Sequence, residues 1–408
     1  MSDEVGALVF DFGSHSLRAG FAGEDSPKLD IPSITGFLPA TKDAPHRRIV
    51  GQSVIVPRAG VELSPFLKDG LVDDWDAFED VVQHMLDFLV PDESTHHPFL
   101  FSEPPWNTKE NREKLMEVLF EKFKIPAFYL AKNAVLSCFA NGRHTGLVLD
   151  SGAIHTSAIP VYDGLVLKQE LIRSPLAGDF LIQQTQRFMD DMNVELVPYY
   201  KIASKEAVNE REPAKWTPKK CLPLTASSYE NYMKKLLLHD FVSSVLQVSD
   251  ERYDKSQAET FPMVGYEFPN GFNIDVGHER FKIPEALFDP SILQESGGNS
   301  MLSMSHIVAS SISMCDIDIR PSLYSNVIVV GGTSLITGFT DRLQRDLNVK
   351  TPPSMRLKVN YSNSVAERRY SSWIGGSILG SLGTFQQMWI SNHEYAELGH
   401  CCIDKKCS

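Results

Sequence analysis

The chain has no long apolar run, few cysteines and a shortage of positive charge, and each shortage removes a class of function. Its six cysteines (Cys138, Cys221, Cys315, Cys401, Cys402, Cys407) in 408 residues form no CxxC pair and no disulfide-like spacing. Free thiols in a reducing compartment are therefore expected. A metal-binding tail on Cys401, Cys402 and Cys407 lacks matching ligand spacing. No stretch of about 18 uninterrupted apolar residues occurs, which argues against a membrane-spanning helix. The opening "MSDEVGALVF" has neither a basic leader nor a long apolar core, so no signal peptide is read and cytoplasm or nucleus remains. Lys and Arg number 39 against 52 Asp and Glu, a formal charge of −13. Phosphate neutralisation needs clustered cations, so direct sequence-specific DNA binding is not expected.

What is present is apolar content of 42%, enough to bury the cores of two domains. Three strand-then-glycine loops organise the chain: "ALVFDFGSHSLRAGFAG" (7–23), "GLVLDSGAIHTSAIPVYDG" (146–164) and "NVIVVGGTSLITGFTDRL" (326–343). Between the first two, Trp75, Phe78, Val82, Met85 and Leu89 recur at helical spacing. Asn107 with Glu110 three residues on reads as a capping box opening another helix. Residues 371–389, "SSWIGGSILGSLGTFQQMW", read as a closely packed helix rich in small residues. The DxG hairpin appears twice, and the interval from Asp11 to Asp150 is domain-sized, which predicts two related α/β halves facing each other. Residues 32–64 and about 198–230 look like peripheral insertions, because they are irregular and punctuated by polar residues, Pro and Gly.

A loop that cradles phosphate needs inward-pointing amides and side chains small enough for close approach. Asp11-Phe12-Gly13-Ser14 and Asp150-Ser151-Gly152 both qualify. Arg18, on the returning strand, has a planar fork suited to phosphate. Acids at strand ends suit Mg²⁺ held through water. One DxG turn is an ordinary hairpin turn; two copies at domain spacing, followed by Gly331-Gly332-Thr333 after a β-branched strand, make a far stronger pattern.

"FDFGSHSLRAGFAGEDSPK", "HERFKIPEALFDPS", "MCDIDIRPSLYSNVIVVGGTSLITGFTDRL" and "ERRYSSWIGGSILGSLGTFQQMWIS" resemble actin and the actin-related proteins over nearly the full chain. Asp73-Asp74-Trp75-Asp76, "SEPPWNTKENREKL", "FANGR", "SPLAGDF", "IASKEAV", "SVLQVSD" and "YEFPNG" bring it closer still to the nuclear class-four members, actin-like subunits of Brahma-associated-factor (SWI/SNF-type) remodellers. The resemblance implies an α/β actin fold: two RNase-H-like halves, four subdomains and a central nucleotide cleft. Subdomain 1 would comprise 1–31, 65–140 and 371–408; subdomain 2, 32–64; subdomain 3, 141–176 and 291–370; subdomain 4, 177–290. For bound ATP, it implies that Gly13, Ser14, Arg18 and Gly152 contact phosphates and that Asp11 and Asp150 position Mg²⁺. Gly331, Gly332, Thr333 and Leu335 would line the adenosine pocket, with Asp240 near the ribose and Arg369 near the base.

Departures from actin fall on the water-activating groups. Where actin reads DSGDGVTHT, this chain reads "DSGAIHTSA", placing Ala153, Ile154 and Ser157 at the second acid, second glycine and catalytic histidine positions. Asn133 stands at the glutamine that orients water, and His15 replaces a phosphate-cradling glycine. Phosphoryl transfer depends on positioning and charge stabilisation, so hydrolysis is expected to be absent or very slow while ATP binding persists. His155 shares a strand face with Ser157 and is the one candidate substitute, against a plain packing role. The outer loop "FLPATKDAPHRRIVGQSVIVPRAG" and the plug region "LQESGGNSMLSMSH" (293–306) also differ from actin's, which points away from filaments.

The resemblance then implies a nuclear, non-enzymatic subunit. It would pair with actin on the helicase-SANT-associated helix of a remodeller ATPase, within SWI/SNF-type, INO-type and histone acetyltransferase complexes, with contacts to their other subunits and to nucleosomal histones. The rivals are an actin-like ATPase that polymerises and a sugar-kinase or chaperone relative of the same superfamily.

Overall fold

Both glycine hairpins form as the sequence reading predicts, and each sits at the heart of its own sheet. The computed structural model describes residues 6–40, 46–91, 96–293 and 301–407. Strands β1 (Leu8–Phe12) and β2 (Ser16–Phe21) pair antiparallel, and β1 runs parallel to Phe99–Glu103 on its other edge. In the second half β3 (Gly146–Ser151) and β4 (Thr156–Tyr162) pair antiparallel, and β3 runs parallel to β5 (Val327–Val330). Register makes the duplication explicit: Asp11 faces Arg18 across one hairpin and Asp150 faces Ser157 across the other. The turns close alike, Gly13 N–H donating to Ser16 O (3.1 Å) and Gly152 N–H to His155 O (3.2 Å).

Each sheet buries its own core. Phe10, Phe78, Phe99, Phe101 and Phe128 fill the first, with Leu147, Leu149, Phe241, Val329 and Phe339 in the second. The helix Trp75–Leu89 forms where predicted, because Asp74 caps it by accepting from Ala77 N–H (3.0 Å) while Phe78, Val82 and Met85 face the core. The helix expected at Asn107 is capped instead by Thr108, which accepts from Asn111 N–H (3.2 Å). Asn107 turns inward and donates to Glu103 (2.8 Å). Cys402 and Cys407 are buried in the first core, and Cys401 is exposed.

The halves meet at helix α1 (Asn133–Ala140) and helix α2 (Ser371–Ser381). The small-residue run is shorter than read: the α-helix stops at Ser381 and a 3₁₀ turn, Gly383–Gln387, follows. Its glycines permit backbone-on-backbone packing, since a Cβ on Gly375 would lie 1.9 Å from Leu136 O and one on Gly376 2.8 Å from Val9 Cγ1. Trp373, fully buried, locks the same joint through Nε1–H to Val9 O (3.1 Å).

Apart from Val50, residues 32–64 and 198–230 lie outside both main cores and pack on each other in a small cluster of their own. Ile49, Val54, Val61 and Leu63 share one buried cluster with Tyr200 and Tyr229, flanked by Leu222, Tyr232 and Met233. Tyr229 Oη–H donates to Ile55 O (2.7 Å), Leu63 N–H to Ser228 Oγ (3.0 Å) and Gly60 N–H to Leu224 O (3.2 Å). Of the outer loop and plug, residues 41–45 and 294–300 lie outside the described residues.

Gly375→Ala should lower stability by about 2 kcal/mol, because the clash is with backbone and cannot relax by a rotamer change. Gly383→Ala, with open space around its Cβ, should stay within about 0.5 kcal/mol. Urea unfolding of both variants checks the contrast, and equal effects would overturn the close-packed joint.

Candidate nucleotide cleft

Between the halves lies a cavity of about 610 Å³, large enough for a nucleotide. It brings together Asp11, Gly13, Ser14, His15, Arg18, Asn133, Asp150, Gly152, Ala153, Ile154, His155, Ser157, Gly331, Gly332, Thr333, Leu335 and Arg369. Asp240 is not there. It faces outward and accepts from Tyr266 Oη–H (2.7 Å), while His239, Val242 and Ser243 of the same helix (Ser227–Val245) line the cleft.

The second hairpin is held from behind. Gly152 O accepts from Thr333 Oγ1–H (2.7 Å) and Gly178 N–H (3.1 Å), and Ala153 O accepts from Asp179 N–H (2.7 Å). These bonds use the hairpin's carbonyls and none of the amides of Ala153 and Ile154. Among the described residues, the N–H groups of Ser14, His15, Ala153 and Ile154 have no partner in the chain. Gly331 has φ +92°, and a Cβ there would meet Ser151 O at 2.3 Å, so only glycine fits behind the cavity. Arg18, Asn133, His155 and Ser372, which line the cavity, each hold a buried side-chain atom (Nε, Oδ1, Nδ1 and Oγ) with no hydrogen-bond partner among the described residues. Free amides, a glycine floor and the Arg18 cation fit an anionic ligand such as a nucleotide polyphosphate.

The carboxylates fit Mg²⁺ less well than the resemblance implies. Four line the cleft: Asp11, Glu103, Asp150 and Asp179. Asp11 accepts from Arg18 Nη1–H (2.9 Å) and Ser102 Oγ–H (2.5 Å), using both oxygens. Glu103 is paired with Lys132 and Arg112 (3.1 Å), and Asp179 with Lys235 (2.7 Å). Among the described residues Asp150 alone of the four has no hydrogen-bond or ion-pair partner, and burial, reinforced by the nearby Asp11 charge, pushes its carboxyl up to about 6. A divalent cation would find one free carboxylate, itself reluctant to ionise.

The positions where this chain differs in sequence from actin's second loop also have defined surroundings in the structure. Ser157 is buried opposite Asp150, and the Ala153 side chain is a methyl group with no polar atom. His155 packs edge-on to Trp106 (centroids 4.8 Å) and lies 3.7 Å from Asp69, which also pairs with Arg173 (2.9 Å). Burial lowers its pKa, so it is neutral at physiological pH, and this packing matches the bland alternative for His155. Ile154 is exposed at the rim, not folded over the hairpin. A larger cavity, about 1400 Å³, opens beyond it and is bordered by residues on either side of the undescribed 294–300.

The actin-family profile matches residues 2–408. The chain belongs to the actin family. It is 38% identical to actin-related protein 4 of Arabidopsis thaliana, over 99% of both chains. It is 36% identical to actin-related protein 4 of Yarrowia lipolytica, over 97% of this chain and 94% of that one. The Schizosaccharomyces pombe protein of that name is 35% identical over 99% and 98%.

One feature of this family member had no sequence signal: a stacked histidine pair across the mouth of the cleft. His15 of the first hairpin lies 4.7 Å from His239 of the opposite half, with rings 19° apart. Burial, then His239, Arg369, Lys235 and Arg18, pull His15 down to about 4, and burial likewise lowers His239. An unfolded His15 takes its proton near pH 6.5, so between about 6.5 and 4 the unfolded chain binds more protons and acid favours unfolding. Part of His15 is open to solvent, which screens and reduces the effect. His15→Phe, which keeps the stack and removes the titration, should therefore lose less thermal stability than the wild type between pH 7 and pH 5. An identical loss in both would remove the pair from the acid response.

Proposed function

We propose that this actin-family chain is a non-catalytic structural subunit of nuclear chromatin-remodelling and histone acetyltransferase complexes. It pairs with actin on the helicase-SANT-associated helix of a remodeller ATPase and contacts other subunits and nucleosomal histones there. Full-length similarity to proteins named actin-related protein 4 supports the class of role. The observation that carries the non-catalytic reading is the second hairpin, which keeps its frame and its free amides while presenting Ala153 and Ser157, with Asn133 nearby, where water would be activated. Such a cleft binds ATP and does not turn it over. Bound nucleotide adds to the stability of the closed form by mass action.

Co-purification with a recombinant remodeller helix, with and without actin, tests assembly; failure in both conditions overturns the reading. The rival, an actin-like ATPase that forms filaments, predicts pelleting and single-turnover hydrolysis close to actin's. The paired substitution Ala153→Asp with Ser157→His should raise ATP turnover about tenfold or more while leaving helix binding unchanged. Loss of helix binding with no gain in turnover would count against the division between cradle and scaffold.

A further inference from the structure

We propose that the cleft takes its nucleotide without a divalent cation, Arg18 acting as the counter-ion to the phosphates and Asp11 as an internal competitor for Arg18. The inference rests on the nucleotide-binding reading above and concerns how the phosphate charge is met.

A triphosphate entering the cleft needs positive charge beside it, either from a metal or from the protein. Mg²⁺ dehydrates reluctantly, so a protein holds it beside substrate phosphates through one or two carboxylates with charge to spare, directly or through its waters. Three of the four cleft carboxylates have given that charge to a cation already: Asp11 to Arg18, Glu103 to Lys132 and Arg112, Asp179 to Lys235. Among the described residues, no group of three or more His, Cys, Asp or Glu side chains is placed to hold a metal ion. Positions 133 and 153, on the same wall, carry a neutral amide and a methyl group.

The protein's own cation is well placed for the alternative. Arg18 directs Nη1 to Asp11 (2.9 Å) and Nη2 to Ser16 Oγ (3.1 Å). Its Nε is buried without a hydrogen-bond partner, the nearest carboxylate being Asp30 at 3.9 Å. The Arg18 guanidinium carbon lies 5.3 Å from the centre of the Tyr370 ring, within cation–π range. A guanidinium has five N–H donors, and a phosphate bound here would take those that Asp11 and Ser16 leave. With Arg18 beside the phosphates, a dication in the same space meets like charge. Asp11 has the opposite effect: with no metal between them, its carboxylate repels phosphate and holds Arg18 back.

The two arrangements give opposite signs for one substitution. Where Asp11 serves a metal, Asp11→Asn weakens nucleotide binding; where it competes for Arg18, the same change strengthens it. The full chain is titrated with ATP by calorimetry, once in excess Mg²⁺ and once in EDTA. Wild-type affinity should change less than about threefold between the two, Asp11→Asn should bind metal-free ATP several-fold more tightly, and Arg18→Met should lose about tenfold or more. Thermal unfolding without ligand verifies that each variant is folded, and the wild-type comparison stands without any variant. Binding that appears only with Mg²⁺, or weakening by Asp11→Asn, overturns the proposal and leaves the nucleotide reading intact. No ATP binding in either buffer overturns both.

Discussion

The close approach of Gly375 to Leu136 O is the constraint on which the rest of the molecule depends. Two sheets with separate cores have no reason to hold a fixed distance unless something short and stiff joins them. Backbone-on-backbone packing of the two joining helices is such a joint, because neither side offers a rotamer that can yield. Trp373 adds a buried hydrogen bond to Val9 O, in the strand that leads directly to Asp11. The joint therefore fixes the first hairpin relative to the helix bearing Asn133, and the cleft between them inherits its width.

Within that width, charge is arranged to be satisfied locally. The buried Glu103 cluster ties Lys132, Arg112 and Asn107 beneath the cleft, and Arg112 continues to Asp404 (3.2 Å) and Cys407 O near the C-terminal end of the described chain. Breaking such a cluster by removing one partner leaves a buried charge, so it is costly to disturb. A site built for turnover needs groups whose protonation and position change during the reaction. Here most ionisable groups on the wall are committed to partners.

Much of the fold was legible because its signals are local. The two DxG hairpins, the β-branched strand before Gly331 and the helix from Trp75 to Leu89 are each defined by residues adjacent in sequence or one helical turn apart. That three short loops line one cavity was legible for the same reason, since each is a local strand-then-glycine pattern. Asp240 failed because a helix rotates by about 100° per residue, so an uncertain alignment of one to three positions exchanges an outward side chain for His239, Val242 or Ser243. The contact between the two insertions was hidden for a different reason. A polar, Pro-rich composition hid Tyr200, Leu222 and Tyr229, whose partners are about 150 residues earlier in the chain. The His15–His239 stack and the pairings of Asp179 and Glu103 are likewise products of long-range packing, with no sequence periodicity to announce them.

The apolar cluster between the two insertions also bears on what a nucleotide does in this cleft. A ligand shifts a closing equilibrium only by the difference in its affinity for the open and closed forms. Ile49, Val54, Val61 and Leu63 bury against Tyr200 and Tyr229 with three hydrogen bonds alongside, none involving the phosphate hairpins. Closure here has a source of free energy in the chain itself, because burying even a few such side chains contributes several kcal/mol, at roughly 1.5–3 kcal/mol each. A nucleotide bound in the cleft would then add to contacts that the chain already supplies. A subunit whose partners read its closed shape would gain from that independence, since the shape would persist whichever nucleotide is available.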